Sequence, residues 1–262
     1  MSAAYAKYLT DLQGTVLENV VRHYEQLDES SPKRKELSAK LSAIYRGVVQ
    51  VIAPSLIIEV GAHDGRFSKL MKKLMPQSRV IAIEANPVVF EKYAPTWLEA
   101  GIEAQQVAVA AESGSVTFSV PVRANKTEAL TMGSLLLDRR AADHRQFTVK
   151  AEPLDNLVDP SLTSAMWVDV EGAIGSMLDG AEKVLANCQA FYVEVETTER
   201  WPGQLLDHEV IARLMEFGLV PVARDVQRQV WQYNVMFLKQ DLIANPSIKA
   251  KFAQYGRFNE GP

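Results

Sequence analysis

Short apolar runs alternate with amphipathic stretches through most of the chain. Leu56–Val60, Val80–Ile83, Ile102–Val109, Met166–Val168 and Ala190–Val195 are compact and apolar enough to be strands of a buried sheet. Between them, apolar residues recur at helical spacing. Phe67, Leu70, Met71 and Leu74 mark a helix over 66–75, followed by helices over 88–99, 176–187 and 205–217. Pro95 is expected to shorten or kink the second of these, and Gly101 to stop it. Repeated units of this size predict a parallel sheet with right-handed crossovers. Ser115–Pro121 alternates like a half-buried strand after a Ser113-Gly114 turn, which suggests an antiparallel addition, and 146–151 forms another short strand. Leu219–Ala223 and Val230–Leu238 form a closing antiparallel pair.

The ends read differently. Tyr8, Leu9, Leu12, Val16, Val20, Val21 and Tyr24 predict one helix before the Ser30-Ser31-Pro32 break. Leu37, Leu41, Ile44, Tyr45 and Val48 predict a second, ending near Ala53-Pro54. These helices suit a brace, a lid or the contact of a homodimer. The expected plan is a helical extension over 1–54, a core domain over 55–240, and a helical tail over 241–262 that frays at the surface. The polar stretch 123–145 is long and irregular, and a loop of this length in a compact domain is either functional, here near a substrate mouth, or disordered.

Composition narrows the function. A formal net charge of −4 argues against a nucleic-acid partner held by phosphate contacts, and Lys33-Arg34-Lys35 reads as a solvated helix start. The single cysteine, Cys188, excludes an internal disulfide and a cysteine-rich metal site; a buried thiol is expected. No apolar run reaches membrane-spanning length, and a soluble cytoplasmic protein without a membrane span is expected.

The chemistry concentrates where strands end. Gly61 and Gly65 follow the first strand, as a sharp turn near a ligand requires. A dinucleotide register would need glycine where His63 and Arg66 stand. Glu59 and Asp64 would repel a diphosphate but suit a ligand carrying an ammonium and a sulfonium, so S-adenosylmethionine is favoured over a nicotinamide dinucleotide. Glu84, closing the second strand, is placed to accept ribose hydroxyls, with Ala85 and Asn86 beside it. A later strand delivers Asp169 and Glu171 before Gly172. Asp169 is the first candidate to orient an acceptor or take its proton, Glu171 the second and His63 a third. The structural alternatives are a loop-ordering Asp169, a helix-capping Glu171 and a helix-start His63. Asp169, Glu171, Glu194 and Glu196 could offer oxygen ligands to a cation. Acids alternating along strands more often meet solvent or hydrogen-bond donors, and no metal is assigned. Trp201 is either an aromatic wall for the acceptor or a loop anchor.

Taken in order, Glu59-Val-Gly61-Ala62-His63-Asp64-Gly65, Ile83-Glu84-Ala85-Asn86-Pro87, Val107-Ala108-Val109-Ala110, Leu154-Asp155, Val168-Asp169-Val170-Glu171-Gly172-Ala173, Gly180-Ala181 and Val193-Glu194 resemble the FkbM family of S-adenosylmethionine-dependent methyltransferases. The resemblance spans about 55–240. Ile174 departs from it, standing where the family usually has a second acid. The resemblance implies a Rossmann-like class I methyltransferase sheet, mostly parallel with a reversed last strand. It implies methyl transfer to a hydroxyl of a sugar, glycan or natural product. Carried onto this chain, Glu59, Gly61, Ala62, Asp64 and Gly65 would line the methionine portion of the cofactor, Glu84 would hold the ribose, and Val107 and Ala108 would flank the adenine. A nicotinamide-dependent oxidoreductase and a non-catalytic cofactor-binding domain are the competing readings.

Overall fold

The structure is a computed structural model that describes residues 32–123, 125–138, 141–227 and 231–256. The helix predicted over 8–24 lies outside the described residues. Helix α1 (Pro32–Ile52) leads into β1 (Leu56–Val60), α2 (Arg66–Leu74), β2 (Arg79–Glu84), α3 (Pro87–Glu99), and the short strands β3 (Glu103–Gln106) and β4 (Ala108–Val109). Strand β5 (Gly114–Val122), β6 (Asp143–Glu152), helix α4 (Leu154–Leu157) and β7 (Ser164–Val168) follow. Helices α5 (Ile174–Asp179) and α6 (Glu182–Ala186), strand β8 (Cys188–Glu196), α7 (Asp207–Glu216), β9 (Leu219–Arg224), β10 (Gln232–Lys239) and α8 (Pro246–Gly256) complete the order.

Seven strands form the main sheet in the order β3-β2-β1-β7-β8-β10-β9, parallel except for β10, which runs against both of its neighbours. This is the mostly parallel sheet with a reversed last strand that the sequence predicts. Two apolar layers sandwich it. Ile57, Ala165, Ala190 and Met236 face a layer that contains Tyr45, Met71, Trp97 and Ile248. Ile58, Met166, Phe191 and Phe237 face the opposite layer, with Met177, Leu185 and Leu214. Burial on both faces explains why the central strands read as unbroken apolar runs.

The register sets the site. Val60 lies level with Ile83 and with Val168, and Val168 lies level with Val193. The residues one step further along these parallel strands are Gly61, Glu84, Asp169 and Glu194. Four positions far apart in sequence therefore form one rim at the carboxyl end of the sheet, where open α/β sheets bind ligands.

Several expectations change in detail. The predicted strand 102–109 divides: β3 pairs with β2, whereas β4 joins β6 and the antiparallel β5 in a second, three-stranded sheet. The helix predicted over 176–187 breaks at Gly180, where α5 ends; a Cβ there would collide with the Ala110 carbonyl oxygen. Pro95 leaves α3 continuous to Glu99. The tail is more than a fraying surface helix, since Ile248 and Phe252 of α8 are buried in the layer that also holds Leu41, Tyr45 and Val48 of α1. The apolar stripe of α1 thus packs on its own chain, and the Tyr45 hydroxyl donates to the Met166 carbonyl at 2.6 Å. Cys188 is fully buried, as expected. No helix among the described residues is long and apolar enough to cross a membrane.

Candidate active site

A cavity of about 220 Å³ opens over the carboxyl ends of β1, β2 and β7. Val60, Gly61 and His63 form its floor, Ile83, Glu84 and Ala85 one side, and Val107, Ala108 and Val109 an apolar flank. Asp169, Val170, Glu171 and Ala173 close the far wall. The roof comes from the second sheet and from the segment placed at the mouth: Phe118, Leu130, Thr131, Gly133 and Leu135. That segment folds back onto β5 through paired backbone hydrogen bonds between Ser119 and Ser134. The Ser134 hydroxyl donates to the Glu171 carbonyl at 2.6 Å, tying roof to far wall.

Gly61 is held by geometry. Its φ is +76°, and a Cβ would strike the Asp169 carbonyl oxygen, because β1 and β7 converge at this turn. Gly61→Ala is expected to cost at least about 2 kcal/mol of stability, read as a lowered denaturant midpoint. An unchanged midpoint would show that the turn opens freely.

Glu84 is buried, and both of its carboxylate oxygens are engaged. Oε2 accepts from the His63 amide and Oε1 from the Asn86 amide, each at 2.8 Å. Each oxygen retains a further lone pair for a ligand hydroxyl. Burial pushes this carboxyl up from its ordinary range, and the two amides oppose the shift. Asn86 caps α3 by accepting from the Val88 amide at 3.1 Å. His63, at φ +47°, sets its ring 5.6 Å from that of Tyr93.

Some sequence candidates stand back from the cavity wall. Glu59 is buried and accepts from the Ser68 amide at 2.9 Å in the first turn of α2. Asp64 accepts from the Arg66 amide at 3.0 Å. Ala62 is buried and donates its amide to the Ile83 carbonyl at 3.0 Å, and Gly65 lies beneath the Trp97 indole at the start of α2. Trp201 is almost wholly buried against Gly172, which favours an anchor over an open aromatic wall. Ile174 is buried in the core.

Asp169, Glu171 and Glu194 converge, with one carboxylate oxygen from each lying within 4.8 Å of the others. Such a set can share a proton or hold a cation. Asp169 opens onto the cavity, yet protein surrounds its other sides; that enclosure raises its proton affinity. Enclosure and repulsion from Asp169 raise that of Glu194, whose Oε2 accepts from Gln227 Nε2 at 2.8 Å. Glu196 is pushed up to about 7 by burial and by Asp169. Glu194 belongs to the cluster because β8 lies beside β7 in register; its sequence position at a strand end hinted only at an oxygen ligand.

These acids make stability depend on pH. Burial lifts Glu59 from an ordinary 4.5 to about 7. Between those values the folded state holds a proton that the unfolded chain has released, so stability falls as pH rises through the window. Glu196 acts in the same direction. Glu103, lowered by its hydrogen bond from Arg79, acts below the window. The melting temperature is expected to be several degrees higher at pH 5.5 than at pH 8, and Glu59→Gln should flatten the difference. A profile that rises with pH would contradict the protonated assignment.

The sheet order, with ligand-facing residues at the carboxyl ends of its strands, gives the chain the architecture of a class I methyltransferase fold. A family model described as the methyltransferase FkbM domain matches residues 59–220, more than half of the chain. The chain belongs to the FkbM methyltransferase family. No curated protein matches it. Similar solved structures include methyltransferase FkbM from Methylobacillus flagellatus KT, at 13% identity, 71% of this chain, 44% of that chain and a TM-score of 0.46. The chain therefore spans less than half of that relative. The O-methyltransferase from Bacillus cereus in complex with SAH shows 12% identity, 88% and 91% coverage and a TM-score of 0.42. TomG from Streptomyces achromogenes, an O-methyltransferase involved in tomaymycin synthesis and solved with SAM, shows 12%, 87%, 98% and 0.42. With every TM-score below 0.5, the family assignment rests on the family model.

The residues around the cavity fit S-adenosylmethionine as a cofactor. Glu84 offers two acceptor oxygens at the end of β2, Val107–Val109 offer an apolar flank for a flat ring, and the far wall is acidic, as a sulfonium favours.

Proposed function

We propose that this protein transfers a methyl group from S-adenosylmethionine to a hydroxyl oxygen of a small molecule or glycan. The observation that carries the reading is the convergence of Glu194 with Asp169 and Glu171, two acids in the wall of the cavity that Glu84 also lines. A hydroxyl needs an acceptor for its proton as it attacks, and these carboxylates are the groups placed to provide one.

In this reading Glu84 holds the ribose, Val107 and Ala108 flank the adenine, and Gly61 with its neighbours Ala62 and His63 bounds the amino-acid end. Ala85 and Asn86 complete the ribose side, while Glu59, Asp64 and Gly65 shape the loop that carries these contacts. Bound S-adenosylmethionine supplies an electrophilic methyl on a positive sulfur. Asp169 accepts the hydroxyl proton. Glu171, on the same turn, orients the acceptor, and Glu194 holds the Asp169 carboxylate in a site whose raised proton affinity suits a base near neutrality. His63 faces the same cavity as a third acid–base group. Holding the hydroxyl in line with the methyl group is the larger part of the task, worth about 7–11 kcal/mol in well-oriented cases.

The test is transfer of labelled methyl from S-adenosylmethionine to a panel of sugars, glycans and natural products bearing free hydroxyls. The expected product is an ether whose label survives mild alkali. Label found only in alkali-labile esters or on nitrogen would contradict hydroxyl transfer.

A further inference from the structure

A second groove of about 780 Å³ runs along the outer side of the cavity roof. One turn separates the two spaces: Leu130, Thr131 and Gly133 face the cavity, whereas Ala129 and Met132 face the groove. A ligand lying in the groove would reach the methyl-transfer cavity over that turn. The groove is lined by three cationic side chains, Arg123, Lys126 and Arg200.

Among the described residues, these cations are not spent on the protein's own acids. Arg123 and Lys126 are exposed and form no ion pair among the described residues. Their loop is ordered by its backbone: the Lys126 amide donates to the Arg123 carbonyl and the Arg123 amide to the Thr127 carbonyl, both at 2.8 Å. Asn125 Oδ1 accepts from the Thr127 amide at 3.1 Å. Arg200 stacks on Trp231, its guanidinium carbon over the ring at 3.2 Å from the centroid. Its Nε is buried and has no hydrogen-bond partner among the described residues. A buried guanidinium donor left unpaired is costly and calls for an acceptor. Stacking covers the guanidinium face and leaves the in-plane fork, the part that recognises planar carboxylates and phosphates. Two acids share the groove. Asp138 is buried and engaged within the fold, and Asp143 caps the neighbouring His144 amide. By contrast, Arg145 is held by Glu128 at 2.8 Å.

We infer that the groove binds an anionic group, phosphate or carboxylate, of the methyl acceptor, with Arg200 as the pre-organised fork and Arg123 and Lys126 as exposed counter-charges. The inference rests on the methyltransferase reading of the adjoining cavity. It narrows the acceptor class to hydroxyl compounds that carry a negative charge, such as a sugar phosphate or a uronic acid, in a protein whose overall charge is itself negative.

The test is calorimetric titration of the full chain, loaded with S-adenosylhomocysteine, with glucose 1-phosphate, glucuronate and glucose. At least one charged ligand is expected to bind, and glucose is not; the phosphate and the carboxylate arms tell the two sources apart. Arg123→Gln combined with Lys126→Gln should weaken the charged ligand about tenfold or more and leave adenosylhomocysteine affinity unchanged. Equal weakness of all three ligands, or an anion affinity indifferent to the double substitution, would overturn the inference. Failure of the wild-type chain to bind adenosylhomocysteine would instead count against the methyltransferase reading beneath it.

Discussion

Asp169→Asn is expected to lower turnover by about 10²- to 10⁴-fold while leaving adenosylhomocysteine affinity nearly intact. The substitution keeps the side chain's shape and removes the proton acceptor. The turn itself is held by the backbone, where the Asp169 amide donates to the Val60 carbonyl at 2.9 Å, so the variant should fold. Wild-type turnover should rise with pH as the Asp169–Glu194 pair, whose proton affinity enclosure and mutual repulsion raise, loses its proton, and the variant should lose that limb. Rates over pH 5–8, with an acceptor from the labelled-methyl screen, check both points. A variant that keeps full turnover, or one that fails to fold, would assign Asp169 a loop-ordering role instead.

Glu84→Ala is expected to weaken cofactor binding by roughly 1.5–3 kcal/mol, about 10- to 100-fold, the worth of a lost charge-assisted hydrogen-bond pair. Two effects add. The ribose loses its acceptor, and the His63 and Asn86 amides lose theirs, loosening the loops after β1 and β2. Calorimetry with adenosylhomocysteine measures the affinity, and a thermal melt separates loop disruption from global unfolding. Unchanged affinity would remove Glu84 from the ribose role.

Strands β1, β2, β7 and β8 were legible because both of their faces are buried, which leaves runs such as Leu56–Val60 no alternative but a central parallel sheet. The rim was half legible. Gly61, Glu84 and Asp169 announce themselves at strand ends, but their common level depends on register, which no single strand reveals. Glu59 shows the complementary difficulty: in a strand buried on both faces, nothing local says which way a side chain points, and here it turns to the first amides of α2. The division at Val107 depends on the remote strand β6, with which β4 pairs, and the break at Gly180 on the close approach of the Ala110 carbonyl. The groove cations belong to a polar stretch without periodicity, so their alignment with Arg200 emerges only in three dimensions.

In the proposed function, the loop from Gly61 and the carboxylate of Glu84 receive S-adenosylmethionine. Calorimetric titration of the purified full chain with S-adenosylhomocysteine and, separately, with NADH tests it most directly. Saturable binding of adenosylhomocysteine with no heat from NADH is expected. Binding of NADH alone would contradict it.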